Sequence, residues 1–414
     1  MEVAHSPGRE FRPILLDISL KPYYIRNETK VSSLPSSGNS FTPMPESLVQ
    51  LFLEAVKVDA LSLKERPMVQ FVSRYMNGLP VEIREDDTAP LFNGECGNLI
   101  LVPAGFDPTR PALALLAHMD TPRSTVQVRP VLSDSRIQSD GTTALGVDNR
   151  AGTSVLLHVL QQHLRASASG NFIVVFTVGE ETGLYGSKYI DLEPYNIKFC
   201  FVFDCSKRPG TFIQSAVGCS LYDATFVGKS SHAAVAPEKG LNAIRLAAAA
   251  ISKIPVGRLS PTMTSNVGMI AGGTATNVVP DRCTIHGEVR EFSPGLINAH
   301  LTHIEQIFRS EASRQGGELE FEAKEDFSPF TLNPDDAVMR MTVEVLRSVR
   351  LEPNPISYLG GSDANMLNGK GIPAVNLGIG AQNPHGNDEF ILVEDLEKTA
   401  EIAQELIIRS KSLI

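Results

Sequence analysis

The sequence lacks any hydrophobic segment long enough to cross a membrane. No apolar run reaches the ~18 residues that a spanning helix needs, so no part of the 414-residue chain is expected to enter a bilayer. Basic residues are also in the minority, with 37 Lys and Arg against 47 Asp and Glu. The resulting net charge of −10 opposes binding to nucleic acid or to an anionic membrane surface, because both need a basic face.

Cysteine is scarce, and its spacing fits neither a disulfide framework nor a metal knuckle. The five cysteines are Cys96, Cys200, Cys205, Cys219 and Cys283. We therefore expect buried, reduced thiols. The apolar stretch at 14–16 is too short for a signal-peptide core of about 7–15 residues. Both features predict a cytoplasmic protein.

The length predicts two domains, because 414 residues exceed what one hydrophobic core usually serves. Residues 1–43 include SSLPSSGNSFTP, whose Ser, Pro and Gly favour loose chain, and they are expected to form an N-terminal extension. Globular patterning begins near Pro45, where apolar residues recur at helical spacing.

Four short apolar runs predict buried strands, and amphipathic helical segments lie between several of them. The runs are PALALLA (111–117), NFIVVFTV (171–178), FCFVF (199–203) and AVNLGI (374–379). Buried strands that alternate with helices are typical of an α/β domain with a mostly parallel sheet. We assign this catalytic domain to residues 44–217 together with 330–414.

Residues 218–329 have a different pattern, which predicts elements in the order β-α-β-β-α-β. This order is typical of a ferredoxin-like unit. We therefore expect an inserted lid or dimerisation domain within the larger one.

Each predicted core strand leads into residues that can bind a metal or move a proton. These residues are His118 and Asp120, Glu180 and Glu181, Asp204, and His385, and Asp148 adds a carboxylate at a helix start. Because the carboxyl ends of parallel strands meet at one edge of a sheet, distant positions would be delivered to one crevice.

Two histidines with several carboxylates suit zinc, and manganese or cobalt would also fit. One zinc needs fewer ligands than this set offers, whereas two ions that share a carboxylate would use them all. Taken singly, each residue has a simpler interpretation: Asp148 as a helix N-cap, Asp204 as a turn residue, the Glu pair as surface, His118 as structural. The convergence of all five sites, with His118 and Asp120 counted as one and Glu180 and Glu181 as another, favours a metal site.

Several motifs resemble those of the dizinc aminopeptidase and deacylase clan, and most closely its peptidase T branch. AHMDT, GVDNRAG, VGEETGLYGS, FVFDCS and HGNDEF look like the metal-site motifs of the clan. GKSSHAAVAPEKGLNAI, GGTATNVVPD and GEVREFSP look like the motifs of its inserted domain. The resemblance covers residues 44–414 in order.

The resemblance implies a role for each residue of the crevice. His118 and Asp204 would bind one zinc, Glu181 and His385 the other, and Asp148 would bridge the two. Asp120 would orient the imidazole of His118, and Glu180 would be the general base. The Asp148–Asn149 peptide would be cis.

In the inserted domain, the resemblance implies that His232 and Asn277 stabilise the oxyanion and that Arg290 binds a substrate carboxylate. The junctions near residues 217 and 330 would be hinges. Two departures bear on specificity: Ala233-Ala234 stands where many relatives carry Ala-Gly, and Cys205 stands where tripeptide aminopeptidases carry glycine.

The sequence therefore predicts a dizinc metallopeptidase, an aminopeptidase that acts on short peptides. An N-acyl amino acid deacylase or a carboxypeptidase-like amidohydrolase of the same clan remains an alternative. A non-catalytic binding module is less favoured, because such a protein has no need of Glu180. A homodimer through the inserted domain is expected from its sheet edge.

Overall fold

A computed structural model of the protein describes residues 47–413. The extension expected at residues 1–43 lies outside these residues. Among residues 47–413, no helix combines the length and the apolar character needed to cross a membrane.

The described residues form seventeen strands and nine α-helices. The strands are β1 (Val81–Glu85), β2 (Leu99–Pro103), β3 (Ala112–His118), β4 (Pro130–Ser133), β5 (Arg136–Ser139), β6 (Phe172–Thr177), β7 (Ile197–Cys205), β8 (Thr211–Ala216), β9 (Gly218–Val227), β10 (Gly257–Arg258), β11 (Thr264–Gly272), β12 (Arg282–Glu291), β13 (Glu318–Phe327), β14 (Phe330–Thr331), β15 (Asn354–Tyr358), β16 (Ala374–Gly378) and β17 (Phe390–Leu392). The helices are α1 (Leu48–Ala55), α2 (Arg66–Tyr75), α3 (Val147–Arg165), α4 (Tyr185–Tyr189), α5 (Ala243–Ile251), α6 (Pro294–Arg314), α7 (Ala337–Ser348), α8 (Asp363–Gly369) and α9 (Val393–Arg409).

The larger sheet has a parallel centre and antiparallel flanks. Its order is β1-β2-β6-β3-β7-β16-β8-β14, with β15 pairing to β8. The central strands β6, β3, β7 and β16 run parallel. They are the four strands predicted from the sequence, and their continuous apolar runs are buried because helices such as α3 and α8 pack on them. The α/β architecture is confirmed.

A second sheet contains strands β9 to β13 and has its own hydrophobic core. Its order is β10-β11-β12-β9-β13, with all neighbours antiparallel, and helices α5 and α6 pack on it. Apart from the two-residue β10, this is the predicted β-α-β-β-α-β unit. Its core cluster, which includes Tyr222, Phe226 and Phe308, is separate from the core of the larger sheet.

A small three-stranded sheet has the order β17-β5-β4. β17 pairs with β5 in an antiparallel register that places Ile391 opposite Ile137. This pairing ties the loop after β16, which carries His385, to the segment that leads into α3.

Candidate active site

The carboxyl ends of the central parallel strands deliver the predicted site residues to one crevice. His118 ends β3, and Asp204 is the penultimate residue of β7. Glu180 and Glu181 lie in the turn after β6, and His385 lies in the loop after β16. The crevice exists because these strands are parallel neighbours and therefore end at the same edge.

Asp148 enters the crevice from an irregular start of α3. Asp148 and Asn149 have non-helical backbone angles, and the peptide between them is cis, as the resemblance implied. The Asn149 amide donates to Phe203 O at 2.7 Å and accepts from Gly152 N at 2.9 Å. The backbone at this point is therefore tied both to β7 and to the helix that follows.

The carboxylate of Asp148 lies between two histidines. Its Oδ1 lies 3.1 Å from His118 Nε2, which is also 3.2 Å from Asp204 Oδ1. Its Oδ2 lies 3.5 Å from His385 Nε2, which is 3.0 Å from Glu181 Oε1. Each oxygen of Asp148 thus faces a different pair of one histidine and one carboxylate, which is the arrangement expected of a carboxylate shared by two cations.

The donor atoms fit metal ions in number and in kind. His118, Asp148 and Asp204 form one group, and Asp148, Glu181 and His385 form another, with all donor atoms of a group within 4.8 Å of one another. Imidazole nitrogens with carboxylate oxygens are the ligands of zinc and of similar divalent ions.

The carboxylates of the crevice are buried close to one another, and this changes their pKa values and that of His385. Burial raises the pKa of Glu181 to about 7, although His385 opposes the shift, and burial also raises the pKa of Asp204. Hydrogen bonds to Asp148 and Glu181 raise the pKa of His385 to about 10. Clustered buried carboxylates of this kind favour a cation, because two positive ions would offset their mutual repulsion.

Asp120 is a fully buried carboxylate that connects His118 to the turn after β6. It lies 3.2 Å from His118 Nδ1 and accepts 2.7 Å from Ser62 Oγ. Its two oxygens also accept the backbone N–H groups of Glu180 at 3.2 Å and Glu181 at 3.1 Å. Asp120 therefore touches both halves of the candidate site, which is more than the single bond to His118 that the resemblance implied.

Glu180 lines the crevice beside these groups, and it belongs with His118 and Glu181 to a third cluster of close donor atoms. Burial raises the pKa of Glu180 well above its usual value, and the nearby His118 opposes this shift. A carboxylate with a raised pKa is a better proton acceptor, as a general base requires.

Arg290 is the one predicted residue of the second sheet that faces the same crevice. The crevice has a volume of about 520 Å³ and is lined by both sheets, with Glu288, Arg290 and Phe327 from the second. Arg290 donates Nε and Nη2 to the two oxygens of Glu288, each at 3.0 Å. The fork of Arg290 is thus already occupied by a carboxylate.

His232 and Asn277 lie together but are not among the residues that line the crevice. Ala233 N donates to Asn277 O at 2.9 Å. The exposed His232 accepts the N–H groups of Ala234 and Val235 on Nδ1, both at 3.2 Å. A neutral imidazole that accepts on Nδ1 carries its proton on Nε2, so the free end of His232 is a hydrogen-bond donor.

Two polar residues near the ligands were not predicted from the sequence. Asn376 Nδ2 donates to Asp204 Oδ2 at 3.3 Å, while its Oδ1 accepts from Cys205 N at 2.8 Å. Glu389 is buried beside the loop of His385. A polar residue within the apolar run AVNLGI was the available signal for Asn376, and membership of the motif HGNDEF was the signal for Glu389.

Two family models match parts of the chain. One, described as a peptidase dimerisation domain, matches residues 216–316, which include the second sheet from β9 to β12. The other, described as M42 glutamyl aminopeptidase, matches residues 126–214, which include Asp148, Glu180, Glu181 and Asp204.

Whole-chain relatives cover both sheets. The protein YqjE of Bacillus subtilis is 33% identical over 361 residues, which are 87% of this chain and 97% of that protein. A solved tripeptidase from Staphylococcus aureus is 33% identical with a TM-score of 0.78, and aminopeptidase PepT from Bacillus cereus is 34% identical with a TM-score of 0.75. Each alignment covers 88% of this chain and 98% of the solved one. With the fold, the crevice and these whole-length similarities in agreement, the chain belongs to the peptidase T-like branch of the M20 peptidase family.

Proposed function

We propose that this protein is a metallo-aminopeptidase that releases the N-terminal residue of short peptides, with two divalent cations in the crevice. The observation that carries the proposal is the position of Asp148, whose two oxygens face two separate pairs of histidine and carboxylate. The similarity to a tripeptidase and to aminopeptidase PepT supports the class of substrate.

One cation would be held by His118 and Asp204, the other by Glu181 and His385, and Asp148 would contribute to both. Zinc suits this set, and manganese or cobalt would fit the same donors. When bound, a pair of such ions lowers the pKa of water and polarises the scissile carbonyl.

Glu180 would handle the proton of the reaction. Its carboxylate takes a proton from the attacking water and returns it to the amine that leaves. The raised pKa of Glu180 favours the uptake of the proton from water, and the return of that proton depends on the basicity of the departing nitrogen. Asp120 keeps Glu180 in place through the backbone N–H of that residue.

Arg290 would bind the carboxylate of the peptide at the far side of the crevice. A volume of about 520 Å³ suits a small ligand, and the guanidinium fork matches a free C-terminus. Binding the terminus at a fixed place would limit the length of the peptide. Because Glu288 holds the same fork, the substrate would have to displace or share it.

His232 and Asn277 would stabilise the oxyanion of the tetrahedral intermediate. Since neither lines the crevice, closure of the second sheet over the site or contribution from a second subunit is required. The match to a peptidase dimerisation domain supports a homodimer. The five free, buried cysteines support a reducing, cytoplasmic location.

A second candidate is an amidohydrolase that removes an acyl group from an amino acid. Arg290 favours it as well, because an N-acyl amino acid also has a free carboxylate. The two substrates differ on the carbonyl side of the scissile bond. An aminopeptidase substrate has an amino acid with a free α-amine there, whereas an N-acyl amino acid has an acyl chain.

The test is to incubate the zinc-loaded protein with dipeptides, tripeptides, their C-terminal amides and N-acyl amino acids, and to identify products by mass. Release of the first residue from free tripeptides is the expected result. Cleavage of only N-acyl amino acids would contradict the aminopeptidase proposal. Glu180→Gln protein in the same mixture controls for contaminating peptidases.

A further inference from the structure

Glu389 is a buried carboxylate that contacts the backbone next to two proposed ligands. It is 2% exposed. Its Oε2 accepts the N–H of Gly146 at 2.6 Å and of Val147 at 3.3 Å, just before Asp148. Its Oε1 accepts the N–H of His385 at 2.5 Å. One side chain thus holds two chain segments that are remote in sequence.

Each segment has a residue in the left-handed backbone region, which carries a cost at His385 but none at Gly146, because glycine adopts it freely. His385 has φ +69°, in the left-handed region that a non-glycine residue adopts at a cost. Gly146 has φ +74°, and a Cβ there would lie 2.9 Å from Thr125 Cγ2. Within residues 47–413, no strand pairing of the larger sheet reaches either segment; the β17–β5 pairing joins them further along the chain, and Glu389 joins them right beside Asp148 and His385.

We infer that Glu389 is a positioning residue that sets the distance between Asp148 and His385, and thereby the affinity of the cation position that these two ligands share with Glu181. The inference rests on the ligand set proposed above. Glu389 is not among the residues that line the crevice. It acts through the backbone, and Asp120 acts in a parallel way on the turn of Glu180 and Glu181.

The chemistry of Glu389 requires a carboxylate rather than a group of similar shape. Both oxygens accept from backbone N–H groups, so a carboxamide would turn an NH₂ group toward at least one of these donors. Glu389→Gln therefore preserves the volume but breaks the link on one side. A residue needed only for packing would tolerate this exchange.

The experiment is a zinc titration of EDTA-treated protein followed by calorimetry, with the metal content of dialysed samples measured by mass spectrometry. In Glu389→Gln, the position that includes His385 should weaken about 10–100-fold, as for other outer-sphere partners of metal ligands, and the position of His118 and Asp204, which shares only Asp148, should weaken less. Glu311→Gln is the control. Glu311 is also buried, but it lies on α6, which packs on the second sheet, and it pairs with Lys253 and Arg314. It should retain two equivalents.

The results separate the positioning role of Glu389 from the two-metal site on which it rests. If both proteins bind two equivalents of zinc, and Glu389→Gln binds them with wild-type affinity, the positioning role of Glu389 is wrong but the two-metal site stands. A single equivalent in the unmodified protein would overturn the two-metal site and this inference with it. Should Glu389→Gln not fold, Glu389→Asp keeps two acceptor oxygens on a shorter stem. Selective weakening of one position would then support the inference, and equal weakening of both would refute it.

Discussion

At the scale of single residues, Glu180 and Glu181 are sequence neighbours with different surroundings. Glu181 Oε1 lies 3.0 Å from His385 Nε2. Burial raises the pKa of Glu180, and the charge of the nearby His118 works against this rise. Asp120 accepts the backbone N–H of both residues, which holds the backbone of this turn in place. In the roles proposed above, this turn would carry a metal ligand and the general base side by side.

Replacing Glu180 with Gln should therefore remove the proton transfer and leave metal binding in place. We expect kcat to fall by about 10²–10⁴-fold, because a carboxamide cannot take up the proton. Zinc content, measured by mass spectrometry on the same sample, should stay at two equivalents. Near-normal turnover in this variant would show that another group is the base.

Arg290 and Glu288 form a second residue-scale pair, and each can be tested through KM. Arg290→Lys should raise KM for free tripeptides about 10-fold, since an ammonium cannot reproduce the bidentate contact. Glu288→Gln should lower KM, because a neutral amide competes less well than a carboxylate for the fork of Arg290. Steady-state assays with tripeptides and their C-terminal amides measure both effects.

Arg282 on the same strand offers a matched control for this pair. It binds the exposed Glu320 outside the crevice, so Arg282→Lys should leave KM unchanged. If the unmodified enzyme cuts free and amidated tripeptides equally well, Arg290 does not bind a substrate carboxylate. The broader amidohydrolase function would then be favoured.

At the scale of elements, the sequence predicted the parts of the fold that carry a strong apolar signal. Strands β3, β6, β7 and β16 were predicted because buried parallel strands are continuous apolar runs. Short, half-exposed strands such as β4 and β17 lack that signal and were missed. Yet β17 holds the loop of His385 in place.

The candidate site shows the same division. Ligand types at strand ends could be read from the sequence, because parallel topology brings those ends together. The contacts of Glu389 with Gly146 and His385 could not, since hydrogen bonds between loops leave no periodic pattern. The pairing of Arg290 with Glu288 was also missed, although residues two apart on a strand share one face.

Helix α3 approaches β7 so closely that Gly152 has no room for a side chain. A Cβ there would lie 2.4 Å from both Phe203 O and Asn149 Oδ1. Gly152→Ala should displace Asn149, and with it Asp148, and should destabilise the protein by about 1–3 kcal/mol through overpacking. Thermal unfolding should show a lower Tm, and zinc titration should show weaker binding.

Gly369 at the end of α8 provides the comparison for this substitution. A Cβ there meets no atom within 4 Å, so Gly369→Ala should leave both Tm and zinc affinity close to the wild-type values. An unchanged Tm in Gly152→Ala would mean that α3 can shift without cost. The close approach would then have no part in placing Asp148.

At the scale of the whole molecule, two neighbouring connections join the sheets. Asn365 donates its side-chain amide both to Val217 O at 3.0 Å and to Ser328 O at 2.9 Å, which are the segments that enter and leave the second sheet. At the place where a hinge was expected, near residues 217 and 330, one side chain thus ties the two connecting segments together. Motion there would move Arg290, His232 and Asn277 together relative to the proposed ligands.

The position of His232 leads to a prediction about subunits. Its Nδ1 accepts two backbone N–H groups, and this exposed residue does not line the crevice of its own chain. If a second subunit supplies His232, mixing Glu180→Gln with His232→Ala protein, each nearly inactive, should restore activity. Random exchange makes half of the dimers hybrids with one complete site, so we expect about a quarter of the wild-type rate.

Steady-state assays after denaturation and joint refolding of the two variants measure this rate. Zinc content checks that both variants retain their metals, and each variant refolded alone is the control. Should the mixture stay as inactive as its components although hybrids form, His232 serves its own chain, and closure about the two connections must bring it to the site.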